Sequence, residues 1–135
     1  YREPKTGFVA GFVGDSNRWA GRVSDLSGGM ARIAIEDGEV VATPGDAAIA
    51  AGAAVDLFVR PEAIRLDPPE GWNSLTGVVD SLLFNGANSR VLVRSRSNAM
   101  IEVSQPGVAE RASTPGEAVT IGWPRDHGLC FPAAG

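Results

Sequence analysis

Ala31-Arg32-Ile33-Ala34-Ile35-Glu36-Asp37-Gly38-Glu39-Val40-Val41-Ala42 is the stretch whose reading decides the fold. Ala31, Ile33 and Ile35 alternate with Arg32, Ala34 and Glu36, the period of a strand with one face buried. Asp37-Gly38 is a hairpin turn signal, and it leads into a second extended run, Glu39 to Ala42. Pro44-Gly45 breaks the chain again.

The same texture continues outward. Ala53 to Val59, Ala63 to Leu66, Leu75 to Leu83, Ser89 to Arg94, Ala99 to Val103, Ala118 to Trp123 and Leu129 to Phe131 all read as strands. The Ala-rich stretch 47–54 fits a helical turn or a loop. Three matches recur in order. Asn17, Gly21 and Val23 reappear as Asn73, Gly77 and Val79. Arg32-Ile33-Ala34-Ile35 reappears as Arg90-Val91-Leu92-Val93, and Gly52, Val55 and Leu57 as Gly116, Val119 and Ile121. The offsets grow from 56 to 58 to 64 residues, as loop insertions in a duplicated unit produce. The expected fold is mainly β: two small OB-type barrels side by side, separate or exchanging strands, from halves at about 16–68 and 69–135. Closing a barrel hides the strand edges.

Upstream, Phe8, Val9, Phe12 and Val13 form a helical stripe, with Pro4 suited to the first turn. Residues 1–15 therefore read as one short helix. Such a helix needs packing from elsewhere, which makes Phe8 and Phe12 candidate contact residues. The opening Tyr1-Arg2-Glu3-Pro4 reads as the junction with a longer protein.

The 135 residues are 44% hydrophobic and 21% charged, enough apolar content for a packed core. Seventeen glycines and nine prolines favour many short segments joined by turns. The formal charge is −4, and Lys5 is the only lysine, so nucleic acid and anionic membrane surfaces are disfavoured partners. Cys130 is the only cysteine, which excludes an internal disulfide.

Catalytic chemistry finds little support. No Gly-x-x-x-x-Gly-Lys-Ser/Thr loop is present to cradle a nucleotide phosphate. Leu26-Ser27-Gly28-Gly29-Met30 resembles the phosphate-facing motif of ABC ATPases, but a strand follows it, and Gly28-Gly29 serves better as a hairpin turn. His127 and Cys130, one of each type, are too few for a structural metal site. Glu36-Asp37 reads as a solvated turn. Trp19, Trp72 and Trp123 read as core or interface residues, since no basic groove accompanies them. Val59-Arg60-Pro61-Glu62 stands apart. Pro61 interrupts the ladder at a strand end, and Arg60 and Glu62 flank the break as a candidate contact point for another domain or subunit.

These segments carry a resemblance when read in order. Tyr1-Arg2-Glu3-Pro4, Phe8 to Gly14, Ser16-Asn17, Gly21-Arg22-Val23, Val59 to Glu62, Asn73 to Val79 and Trp123-Pro124-Arg125-Asp126 together resemble the transport-associated OB (TOBE) domain. That domain follows the nucleotide-binding cassette in importer ATPases, and the likeness is to the spermidine/putrescine and ferric-iron type. The resemblance implies an accessory, non-catalytic domain. Its expected partners are the cassette of the same polypeptide, a second ATPase subunit, membrane permease subunits and a substrate-binding protein. ATP and Mg²⁺ would bind the cassette, with no cofactor or metal in this chain, and the location would be cytoplasmic, at the inner membrane. A related domain binds molybdate or tungstate and opens with a Ser-Ala-Arg-Asn motif. Here the position reads Gly71-Trp72-Asn73, so an oxyanion-binding module is the alternative.

Overall fold

The computed structural model describes residues 16–45, 49–85, 88–106 and 114–133. The helix expected over 1–15, with Phe8 and Phe12, lies outside them. The described residues form strands β1 (Asn17–Ser27), β2 (Met30–Ile35), β3 (Gly38–Pro44), β4 (Ala54–Val59) and β5 (Arg65–Leu66) in the first half. The second half supplies β6 (Asn73–Asn85), β7 (Asn88–Ser95), β8 (Met100–Pro106), β9 (Ala118–Trp123) and β10 (Gly128–Pro132). A 3₁₀ turn, Pro61–Ala63, interrupts the chain between β4 and β5.

The two halves trade their fifth strands. The first lobe is a closed barrel in the order β1-β2-β3-β10-β4, and the second a sheet in the order β5-β9-β6-β7-β8. β10 runs parallel to β3 and antiparallel to β4, with Cys130 opposite Leu57. β5 returns the exchange by pairing with β9, Arg65 opposite Gly122 and Leu66 opposite Ile121. This is the expected pair of OB-type barrels with strands exchanged, the first lobe closed and the second open between β8 and β5. The cause is local. Asp67 follows β5 in a left-handed conformation (φ 54°), and Pro68-Pro69 then removes two donors, so β5 is too short to reach β8 as a ladder.

The repeated residues perform the same task in both lobes. A Cβ at Gly21 would lie 2.6 Å from Ile33 Cγ2 and 2.8 Å from the Ala34 carbonyl; at Gly77 it would meet Val93 Cγ1 at 2.6 Å and the Arg94 carbonyl at 2.7 Å. Both strands carry a register shift directly after the repeated valine, at Val23/Asp25 and Val79/Ser81. The Gly52 N–H donates to Val23 O at 2.7 Å, and the Gly116 N–H to Val79 O at 2.8 Å. Gly28-Gly29 is the turn joining β1 to β2, with φ of 61° and 79°. The next turn sits one residue earlier than expected: Ile35 pairs with Gly38, so Glu36 and Asp37 make the turn and Gly38 opens β3.

One continuous core runs through both lobes, from Val23, Ile33 and Leu57 to Val91, Val103 and Ile121. At its centre Trp19 and Trp123 stack with ring centroids 5.0 Å apart and planes 23° from parallel. Cys130 is fully buried on the exchanged strand β10, and desolvation pushes its thiol up to about 11. An unfolded thiol ionises near 8.5. The folded state therefore holds the proton more tightly, and this contribution to stability is present below the unfolded value and fades as pH rises towards 11. Iodoacetamide at about pH 8 is expected to alkylate Cys130 on the order of 100-fold more slowly in the native protein than in urea, because the thiol emerges only when β10 detaches. Equal rates would show that β10 is not held in the barrel.

Candidate interaction site

β4 ends at Val59, and Pro61 then sets the first position of the 3₁₀ turn. Arg60, preceding the proline, is extended (φ −71°, ψ 144°), the conformation that the proline ring imposes on its neighbour. Ala63 N–H donates to Arg60 O at 3.0 Å and Ile64 N–H to Pro61 O at 3.2 Å, which closes the turn. Pro61 and Ile64 are buried, Arg60 is half-buried and Glu62 is exposed. The sequence pair Arg60/Glu62 is thus displayed on a rigid, anchored corner.

Glu62 lies on the rim between two clefts. One, of about 370 Å³, holds Ser16, Asn17, Arg90, Glu102 and Ser104 beside Pro61. Its guanidinium and carboxylate are already joined, Arg90 to Glu102. The other, of about 460 Å³, holds Arg60, Arg65, Trp72, Pro124 and His127. Its lining comes from the segment joining β4 to β5, from Arg65 in β5, from Trp72 in the β5–β6 connection and from the segment joining β9 to β10.

The seam between the lobes is fastened by polar side chains whose roles sequence reasoning did not assign. Asn73 Nδ2 donates to Val41 O at 2.9 Å, and its Oδ1 accepts from Val41 N–H at 2.8 Å. Asn17, its repeat partner, does the same to Glu102 in the opposite direction across the seam, at 2.9 and 2.8 Å. Each amide thus pairs with one residue's backbone N–H and C=O in the other lobe's third strand, as a neighbouring strand would. Their recurrence at equivalent polar positions was visible in the repeat, but the partner strand was not. Asp37 corrects the solvated-turn reading. It is buried, and its carboxylate accepts from Ser97 N–H at 2.8 Å and Ser97 Oγ at 2.9 Å, tying the β2–β3 turn to the β7–β8 turn.

His127 and Cys130 do not pair. His127 is exposed and hydrogen-bonded to Asp126 at 2.9 Å, a bond that holds the Asp126 carboxyl below the usual carboxylate range, whereas Cys130 is buried. Among the described residues, no three His, Cys, Asp or Glu side chains gather as a metal site.

The TOBE domain family model matches residues 57–131, more than half of the chain. This chain belongs to the TOBE domain family. The spermidine/putrescine import ATP-binding protein PotA of Acidothermus cellulolyticus is 34% identical over 95% of the chain. PotA of Rubrobacter xylanophilus is 32% identical over 96%, and the uncharacterized ABC transporter ATP-binding protein YdcT of Escherichia coli is 30% identical over 93%. The TOBE domain spans about a third of the length of these relatives, 35%, 35% and 32% in the same order. Among solved structures, the cytoplasmic molybdate-binding protein ModG superposes with a TM-score of 0.73 at 23% identity, covering 87% of this chain and 96% of that one. That likeness carries the fold. Of the oxyanion motif, this TOBE domain keeps only Asn73, whose amide is committed to Val41.

Proposed function

We propose that this TOBE domain is the accessory C-terminal module of the ATP-binding subunit of an ABC importer of the polyamine type. It serves contact and coupling: to its own cassette, to a second ATPase subunit and to the permease. The cassette, on the cytoplasmic face of the membrane, would bind ATP and Mg²⁺ and hydrolyse the nucleotide. The observation that carries this reading is the match, over almost the whole chain, to one third of ATP-binding proteins whose names assign them to import. The absence of a phosphate-binding loop from this chain agrees with it. Coupling requires interactions that differ between transporter states, and Arg60 and Glu62 are the displayed charges best placed to supply them.

Arg60→Ala in the full-length subunit is expected to leave the domain folded. Uptake or subunit association should change by about five-fold at most, since exposed charge pairs contribute about 0–1 kcal/mol. Uptake assays and sedimentation measure both. Unfolding of the isolated domain by this substitution would make Arg60 a structural residue and remove it from the coupling role.

A further inference from the structure

The cleft between the two crossovers has a chemistry that neither the fold nor its relatives assign. Its floor is apolar, formed by Ala63, Pro124 and the half-buried Trp72. Arg65 lies over the Trp72 ring with its guanidinium carbon 5.5 Å from the centroid. A guanidinium over a ring face is held there by the ring's electron density, and the exposed Arg65 keeps N–H groups able to donate to a ligand. Among the described residues Arg65 forms no salt bridge. Arg60 adds a second guanidinium to the lining, which also holds Glu62 and His127, the latter bonded to the Asp126 carboxylate. On a chain of net charge −4 this sets two guanidiniums beside an apolar floor. The stretch 60–65 builds one wall and 124–127 the other, so the shape of the cleft depends on the strand exchange itself.

We propose that this cleft is a docking pocket for a protein segment that places an apolar, preferably aromatic, side chain next to a carboxylate. The ring lies on Trp72 and Pro124, and the carboxylate accepts from Arg65, with Arg60 adding attraction. This rests on the coupling role proposed above and gives the contacting partner a chemistry: an acidic–aromatic loop of another subunit or domain of the transporter.

Phenylacetate, which carries a ring and a carboxylate one carbon apart, is a minimal probe. It would be titrated into the isotope-labelled domain while the Trp72 indole N–H signal is followed by NMR. A ligand of this size is expected to bind with a dissociation constant of about 5 mM, from the usual affinity per atom. Phenylacetamide, with the same shape and no charge, is expected to bind about five-fold more weakly, the upper range for an exposed ion pair. Arg65→Gln should reduce phenylacetate to the level of the amide, and Arg65→Lys, which keeps the charge but not the planar fork, should fall between. Amide dispersion reports whether each variant is folded. Equal binding of acid and amide, preference for benzylamine, or no shift at Trp72 up to about 50 mM would each overturn the proposal. These measurements use the domain alone. A failure here leaves the transport test of Arg60 standing, and a failure there leaves the pocket chemistry standing.

Discussion

Trp123→Ala is expected to destabilise the domain by about 3–5 kcal/mol, the range for deleting a large aromatic side chain from a packed core. Trp123 is fully buried and stacks on Trp19 where the chain leaves β9 to cross into the first lobe. Small domains have only about 5–15 kcal/mol in total, so the variant should sit near the edge of folding. Trp123→Phe provides the control. Both indole N–H groups, on Trp19 and Trp123, are buried with no hydrogen-bond acceptor among the described residues. Phenylalanine keeps an aromatic ring in the stack and removes one unsatisfied donor, so its loss should be about 1–2 kcal/mol. Urea unfolding followed by circular dichroism measures both. An alanine variant as stable as the phenylalanine variant would show that the stack does not join the lobes.

The second large effect is expected at the reciprocal asparagines, and burial decides which weighs more. Asn73→Leu leaves the Val41 N–H and C=O unpaired in a buried seam, at a cost of about 2–4 kcal/mol. Asn17→Leu removes the same two bonds from Glu102, but Asn17 is only half-buried and water can reach the freed groups, so about 1–2 kcal/mol is expected. Because both clasps close the same seam, the double variant should deviate from additivity. Equal losses at the two positions would contradict the burial argument. A loss under about 0.5 kcal/mol at Asn73 would mean the clasp is not formed in solution.

These residues show what the sequence could and could not reveal. Ile33 and Ile35 were legible as a strand because one face of β2 is buried and the other wet, so alternation is written into the residues. The duplication was legible because Gly21 and Gly77 are held by steric contact, and Val23 and Val79 by a shared bulge. The direction of strand exchange was not. Leu129-Cys130-Phe131 is apolar enough for either lobe, and the crossover at 124–127 places it in the first. Asp37 looked like any solvated turn acid because its partner, Ser97, lies 60 residues away. The break at Pro61 is legible as the end of a strand, since proline acts on its immediate neighbours. The apolar cleft beside it was invisible, because its walls come from two separate crossovers.

This TOBE domain is proposed to couple rather than to catalyse. The direct measurement is ATP hydrolysis and substrate uptake by the reconstituted transporter, with the full-length ATP-binding subunit and with the same subunit lacking the residues after Asp15. The shortened subunit is expected still to hydrolyse ATP, while uptake per ATP or subunit association shifts by about five-fold or more, the lower end of typical coupling energies. Unchanged assembly, hydrolysis rate and uptake after the deletion would contradict it.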